Sequence, residues 1–501
     1  MARFSVVTIL SSLAGFLALS SQCQTTQNAS TATAACAYLE SVLGSTVRLP
    51  TDMDFKNASE ANWVSSAWES PICILQPTTA EEISQAVKYL VPLNVNFAIR
   101  SGGHSPAPFA ANINDGVLFD MSGFNMIEYQ EENGVAVVGT GLRWGEVYNH
   151  LDPHNVTVVG GRIVDVGVGG LALGSGLSYL SDLYGLVCDN VVNFEVVLAD
   201  GSIVDANATS NSDLWWSLKG GANNFGIVTR FTLNTYPTGD VWGGQKWYTA
   251  DQLPDLIKAL HEYQSSSNKD PYANLMMQAY PLNESIGVEI NFIYNKPVTS
   301  PEAFAAFYDI PTTYDTTQIQ SMTNYLASQV PAEFPRLNWY ATSFKVDATL
   351  FDAIERIITT APELELIKNL TAGSIAVGWQ PISTNTVEAG LARGGNALGL
   401  ENVNQTWLVI DIGWWFAEDD KVANSATLSL INKIEAASIA ADKYVDYIFM
   451  NDAAVSQHVI SHYGAESVTK LLAAQAKYDP NRVFQQLVPG GFKLPTTIPN
   501  L

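Results

Sequence analysis

Seven of the seventeen residues from Gly160 to Gly176 are glycine. Glycine lacks a Cβ, so its main chain can approach another group closely, and successive N–H groups can form a concavity that holds an anion. Within the run, Gly167-x-Gly169-x-x-Ala172 satisfies a loose dinucleotide-binding pattern, and Asp189 follows where a ribose-binding acid is expected. The same residues would serve a set of tight turns. A Rossmann module should open on such a run, whereas here a long stretch of mixed structure precedes it. The pattern alone does not decide between a cofactor loop and turns.

The surroundings favour a cofactor module. Ile72-Cys73-Ile74-Leu75 reads as a short buried strand, and Pro77-Thr78-Thr79 caps a helix from Ala80 to about Leu90. Asn96 to Arg100 is a second strand, and it ends in the turn Ser101-Gly102-Gly103-His104. Val117 to Asp120 and Gly134 to Val138 alternate like half-buried strands, and Phe194 to Leu198 and Ile227 to Leu233 are stronger ones. Alternating α and β structure with dense glycine turns is the texture of a cofactor-binding unit. From about Val241 glycines thin out. Apolar strands (Gly287 to Ile293, Trp407 to Phe416) then alternate with helical patterns (Gln252 to Tyr263, Ala348 to Thr360), which reads as a second α+β domain. Ala465 to Tyr478 is a final helix, followed by the turn Asp479-Pro480-Asn481.

His104 is the second signal. A histidine after two glycines at a strand end is open to whatever binds there, and Arg100 nearby suits a phosphate. Taken alone, His104 could be a base, a metal ligand, a covalent cofactor anchor or a turn residue. Other chemistries fare worse. The pairs His150/His154 and His458/His462 have helical spacing, but Pro153 interrupts the first and the second lacks the glutamate of H-E-x-x-H, so no metal site is expected. No G-x-S-x-G nucleophile elbow is present. A net charge of −24 argues against nucleic acid and anionic membranes as partners.

The N-terminus has a secretory pattern: Arg3, an apolar stretch from Val6 to Leu19, then small residues from Ala18 to Ser21. The apolar run is too short for a convincing transmembrane helix. Seven Asn-x-Ser/Thr sequons (Asn28, Asn57, Asn155, Asn207, Asn283, Asn369, Asn404) fit a glycosylated secreted protein. In an oxidising compartment Cys36 and Cys73 are the natural disulfide pair, Cys23 lying near the cleavage site and Cys188 reading as a buried free thiol.

Together these stretches resemble the vanillyl-alcohol oxidase superfamily of flavoproteins, in particular the fungal berberine-bridge-enzyme-like FAD-linked oxidoreductases. The resemblance runs in order along nearly all of the mature chain: Cys73 to Pro77, Arg100 to His104, Gly160 to Arg162 and the glycine run, then Gly185 to Asn190, Asp213 to Gly221, Asn223 to Val228 and Tyr478 to Phe484. It implies an α+β fold, with a two-part FAD-binding domain and an α+β substrate domain built on an antiparallel sheet. The expected boundaries are a signal peptide at 1–20, an N-terminal segment at 21–66, the FAD-binding domain at 67–238, the substrate domain at 239–445 and a returning segment at 446–501.

The resemblance also implies residue roles. His104 would bond to the 8α carbon of the flavin. The turn of Arg100, Ser101, Gly102 and Gly103 would hold the pyrophosphate with Val166, Gly167, Gly169, Gly170, Gly174, Gly176 and Ser178. Gly226, Ile227 and Val228 would contact the far end of the dinucleotide, and Asn451 would reach the flavin. Val166 stands at a gate position where valine leaves room for O₂.

The chain departs from the family pattern at three places. Many relatives carry a second flavin attachment through a cysteine where Ile163 stands, so one bond is expected here, which argues mildly against a carbohydrate substrate. Phe449-Met450-Asn451 replaces the frequent Tyr-x-Asn. No glutamate stands on the strand from Trp407 to Phe416, which leaves Asp411, Tyr444 or Tyr447 as the candidate base. The expected activity is a secreted oxidase that acts on a small organic molecule, such as a secondary-metabolite intermediate, and gives H₂O₂. Oligosaccharide oxidation, a dehydrogenase with another acceptor and a non-catalytic binding protein are the alternatives. Oligomeric state is not readable.

Overall fold

The computed structural model describes residues 29–329 and 333–498. The expected signal peptide, Cys23 and the Asn28 sequon lie outside the described residues. Among the described residues no helix is long and apolar enough to cross a membrane.

Three sheets follow one another along the chain. The first holds β1 (Val47–Arg48), β2 (Cys73–Leu75), β3 (Phe97–Arg100) and β4 (Val117–Asp120), in the order β1-β2-β4-β3. β2, β4 and β3 are parallel, and their residues are almost all buried, as a sheet covered on both faces requires. The crossover from β2 to β3 is the helix Ala80–Leu90, which begins in a full capping box between Thr79 and Glu82 and buries Ile83, Ala86, Val87 and Leu90. A disulfide joins Cys36, on the helix over 29–43, to Cys73 on β2, and so ties the N-terminal segment to this sheet. Breaking that link with Cys36→Ser is expected to cost about 3.8 kcal/mol on the chain-entropy account of loop closure. The measurement is the denaturant midpoint, which should fall while the slope rises, because the unfolded chain loses its cross-link and exposes more surface.

The second sheet is antiparallel. It contains β5 (Ile127–Gln130), β6 (Val135–Gly139), β8 (Val191–Val197), β9 (Ile203–Asn207) and β10 (Ile227–Pro237), with β7 (Val156–Val158) also pairing with β10. The glycine run lies between β7 and β8 and includes one short helix, Val168–Leu173. That helix was not legible as such in the sequence.

The third sheet begins three residues after β10 and has nine antiparallel strands. They are β11 (Asp240–Tyr248), β12 (Ala273–Ala279), β13 (Val288–Tyr294), β14 (Tyr314–Asp315), β15 (Gln318–Ser321), β16 (Arg336–Lys345), β17 (Ser374–Ile382), β18 (Gln405–Trp414) and β19 (Tyr444–Val445). The helices Leu253–Ser265, Ala348–Thr360 and Asp420–Ala440 cover one face. Leu408, Ile410 and Ile412 of β18 pack beneath them, each contributing roughly 1.5–3 kcal/mol by burial. Trp407, one residue out of phase, instead joins the core shared with the second sheet. The period of two therefore turns one face of this sheet toward the second sheet and the segment around Trp63, and the site lies there.

The C-terminal chain returns to the first two sheets. Asp479 is fully buried, and its carboxylate accepts the backbone N–H groups of Val483 (2.8 Å) and Phe484 (2.9 Å). That bend lets Leu487 accept from Phe97 N at the edge of β3 (2.8 Å).

Candidate active site

Two glycine turns meet back to back. A Cβ on Gly102 would lie 2.5 Å from Gly167 Cα, and one on Gly167 would lie 2.3 Å from Gly102 N. Only glycine permits that approach, because a Cβ at either position would collide with the other turn's main chain. The junction is pinned by Ser101, whose hydroxyl donates to Thr140 O (2.7 Å) and accepts from Gly169 N (3.1 Å). Arg143 adds a second pin, donating to Gly102 O (2.9 Å) and to Asp165 O. Beneath the junction lies a cavity of about 340 Å³. Ser101, Gly102, Gly103 and His104 border it on one side, and Val166, Gly167, Gly169 and Gly170 on the other. Gly226, Ile227 and Val228 border its far end.

His104 stands at this cavity with its ring stacked on Trp63 (centroids 4.0 Å apart, 25° between planes) and near Trp339 (6.4 Å). Its Nε2 is buried with no hydrogen-bond partner. Burial pushes the imidazole down to about 4, Asp165 pulling weakly upward and Arg143 adding to the fall. His104 is therefore a neutral, nucleophilic ring at ordinary pH. Trp63 is held in place by its own backbone, which donates to Gly103 O (3.0 Å). Nothing in the sequence pattern flagged Trp63, since its partner is 41 positions away and in another segment. An orphaned buried imidazole nitrogen and a cradle of bare main chain suit a flavin dinucleotide.

The opposite wall belongs to the third sheet. Asp411 faces Trp339 across β16 and Ala376 across β17, while Gln380 faces Trp407, so Trp339, Asp411 and Gln380 share the face turned inward. Gln380 donates to Asp452 Oδ2 (2.8 Å) and accepts from the Arg162 guanidinium. Arg162 and Asp452 both border the cavity. Burial, then the neighbouring Asp452 charge, push the Asp411 carboxyl up to about 8, against the pull of Arg162. Asp452 is itself raised by burial, with Arg162 and Gln380 opposing. Two carboxyls whose surroundings oppose charge, beside one guanidinium, are a recognisable proton-handling arrangement. Asp452 and Gln380 went unread in the sequence; the position of Asp452 beside Asn451 was the available signal.

Several expected residues fall elsewhere. The Arg100 guanidinium turns away from the cavity, pairing with Asp120 (3.1 Å) and donating to Ala58 O (2.6 Å) and Asn62 (3.2 Å). It is buried and already partnered, so its role is to brace the turn and not to meet phosphate. Gly174, Gly176 and Ser178 do not border the cavity. Gly176 N donates to Asn451 Oδ1 (3.1 Å), a Cβ on Gly174 would strike the Asn451 amide at 2.6 Å, and Ser178 belongs to a turn with Ser181 (3.0 Å). Asn451 borders the cavity while clamping the end of the glycine run. Tyr447 is buried against Trp407 (4.8 Å) and Tyr463 (6.0 Å), and burial holds its hydroxyl far above the usual range. Tyr444 sits at the sheet edge opposite Phe344, raised by burial and by Glu435 and Asp446. Neither tyrosine borders the cavity. Asp411 does not border it either, but of the three candidate bases it alone lies beside Asp452 and Arg162, which do.

Comparison with known proteins agrees with this geometry. The FAD binding domain family matches residues 71–207. A bifunctional solanapyrone synthase from Alternaria solani is 38% identical over 468 residues, covering 92% of this chain and 89% of that protein. A protein from Arthrobotrys oligospora named as an FAD-dependent monooxygenase is 36% identical over 91% of this chain and 89% of its own. The solved structure of Physcomitrella patens BBE-like 1 superposes with a TM-score of 0.74 at 20% identity, covering 92% of this chain and 100% of that one. Glucooligosaccharide oxidase from Acremonium strictum, described with a 6-S-cysteinyl, 8α-N1-histidyl FAD, gives 0.76 at 18% identity over 93% and 100%. The matched domain, the length of the matches and the shared fold agree, and the chain belongs to the FAD-dependent oxidoreductase family of these fungal relatives.

Proposed function

We propose that this protein is a secreted oxidase whose FAD is joined to His104 by a single 8α bond, and that it oxidises a small secondary-metabolite intermediate with release of H₂O₂. The observation that carries this reading is His104 itself: a neutral imidazole whose buried Nε2 has no partner, stacked on Trp63 at the edge of a cavity formed by two opposed glycine turns. When bound, FAD would accept a hydride equivalent from the substrate and return the electrons to O₂. The protein's part is to position and to move protons. Gly102, Gly103, Gly167 and Gly169 offer bare main chain to the dinucleotide, while Trp63 and Trp339 fix the plane of His104. Asp411 takes the substrate proton at its carboxylate, and Gln380 and Arg162 hold Asp452 beside it.

Ile163 borders the cavity where a second, cysteinyl link would need a thiol, which supports one bond. Relatives at 38% and 36% identity are named as a solanapyrone synthase and an FAD-dependent monooxygenase, not as sugar oxidases, which supports a secondary-metabolite substrate over a sugar. The test is an oxygen-electrode screen of such intermediates with H₂O₂ quantified in parallel. One H₂O₂ per O₂ consumed is expected; oxygen recovered in the organic product would instead make the enzyme a monooxygenase.

Val166 borders the cavity beside Gly167. Val166→Leu should slow O₂ consumption by about tenfold or more, equivalent to about 1.4 kcal/mol of barrier, while turnover with an artificial acceptor stays near the wild-type rate. Equal loss with both acceptors would remove the gate role from Val166.

A further inference from the structure

Among the described residues the Arg162 guanidinium has one hydrogen bond, to Gln380, and lies over the Tyr179 ring 5.9 Å from its centroid. Among the described residues no carboxylate lies within ion-pair distance of it, although Asp411 and Asp452 are near enough for their charges to be felt. An arginine presents five N–H donors in a rigid fork, so most of this fork has no acceptor in the protein. Arg162 borders the cavity, as do the apolar rings of Trp339, Phe449 and Phe492. Of the two carboxyls nearby, Asp452 is occupied by the Gln380 amide at 2.8 Å, and burial holds Asp411 toward its neutral form. A cationic fork is thus held at a largely apolar pocket, and neither neighbouring carboxyl is paired with it.

We infer that Arg162 is the substrate anchor, and that the substrate carries an anionic oxygen, a carboxylate or an ionised enol, on a flat apolar frame. A neutral sugar does not need such a group. A bidentate charge-assisted contact is worth roughly twice a neutral hydrogen bond, and it fixes orientation as well as affinity. The inference rests on the flavin reading above and adds the substrate class to it.

The test titrates purified holoenzyme near neutral pH with matched pairs: cinnamate against cinnamamide, and triacetic acid lactone, whose enol is ionised, against its neutral methyl ether. Cellobiose is the sugar control. Binding is read in the flavin absorbance and separately in tryptophan emission, so protein lacking flavin is still tested. At least one anion should bind about tenfold more tightly than its neutral partner, a difference of about 1.4 kcal/mol. Arg162→Gln should erase that ratio and Arg162→Lys should keep part of it, since a point charge replaces the fork. Gln380→Ala frees Asp452 to pair with Arg162 and should shrink the ratio without erasing it. The arm that responds distinguishes a carboxylate from an enol. The inference is overturned if no anion binds, if anion and neutral partner bind alike, if Arg162→Gln keeps the ratio, or if only cellobiose gives a response. Failure of the flavin reading would show separately, as protein with no acid-stable colour.

Discussion

Replacing His104 by alanine should release the flavin from the protein. Wild-type protein precipitated in acid should stay yellow, whereas His104→Ala should give a colourless pellet and a yellow supernatant, or no bound flavin at all. The cradle of Gly102, Gly167 and Gly169 is untouched by the substitution, so some flavin can still bind without a covalent link. The turnover of that variant should fall by about tenfold or more, because the bond that withdraws electrons from the flavin and fixes its position is gone, and each factor of ten is about 1.4 kcal/mol of barrier. Trp63→Leu tests the setting rather than the bond. With the stack at 4.0 Å removed, covalent incorporation should be slower, visible as a mixed population of released and retained flavin in the same acid assay.

The second large effect is expected at Asp411. As the proton acceptor, Asp411→Asn should lower kcat by about 10²–10⁴-fold, the usual range for loss of a general base, with a much smaller change in KM. The carboxyl must be ionised to act, and its surroundings raise it to about 8. Wild-type kcat should therefore climb as pH rises toward and through about 8, and the variant should lose that rise. Stability moves the opposite way. An unfolded aspartate titrates near about 3.9, so between that value and about 8 the folded state holds the extra proton and folding weakens as pH rises. Asp411→Asn removes this drain. It should melt higher than the wild type in alkaline buffer while being less active, a combination that a merely structural residue would not give.

Parts of the molecule were readable because local chemistry set them. Thr79 and Glu82 spell a capping box, and the helix over Ala80–Leu90 follows. The Ala348–Thr360 helix is equally plain, its N-cap Asp347 accepting from Leu350 N (2.9 Å). The meeting of Gly102 with Gly167 was legible only as two separate glycine signals, because their contact is tertiary. The helix Asp420–Ala440 escaped notice since its buried face mixes Ala423, Ala426, Thr427 and Ser438 with Leu430 and Ile434, which blurs the apolar stripe.

The site shows the same division. His104 was placed at a binding turn by the two glycines before it, but whether Arg100 would reach phosphate depended on Asp120, Asn62 and Ala58, which only the fold brings to it. Asp411 was found by elimination on its strand. Tyr444 and Tyr447, proposed beside it, lie on a short edge strand and in an aromatic core. Asp452, Gln380 and Arg162 form one chain of contacts across three segments, and no spacing in the sequence could have joined them.

The central claim is the bond between His104 and the flavin, and peptide mapping tests it most directly. The protein is digested, the fluorescent peptide is isolated, and its mass and fragmentation are read. The expected result is one flavin per chain on the peptide containing Arg100 to His104, with the added mass on the imidazole. A His104 peptide at its unmodified mass, with the flavin free in solution or attached to another residue, would contradict it.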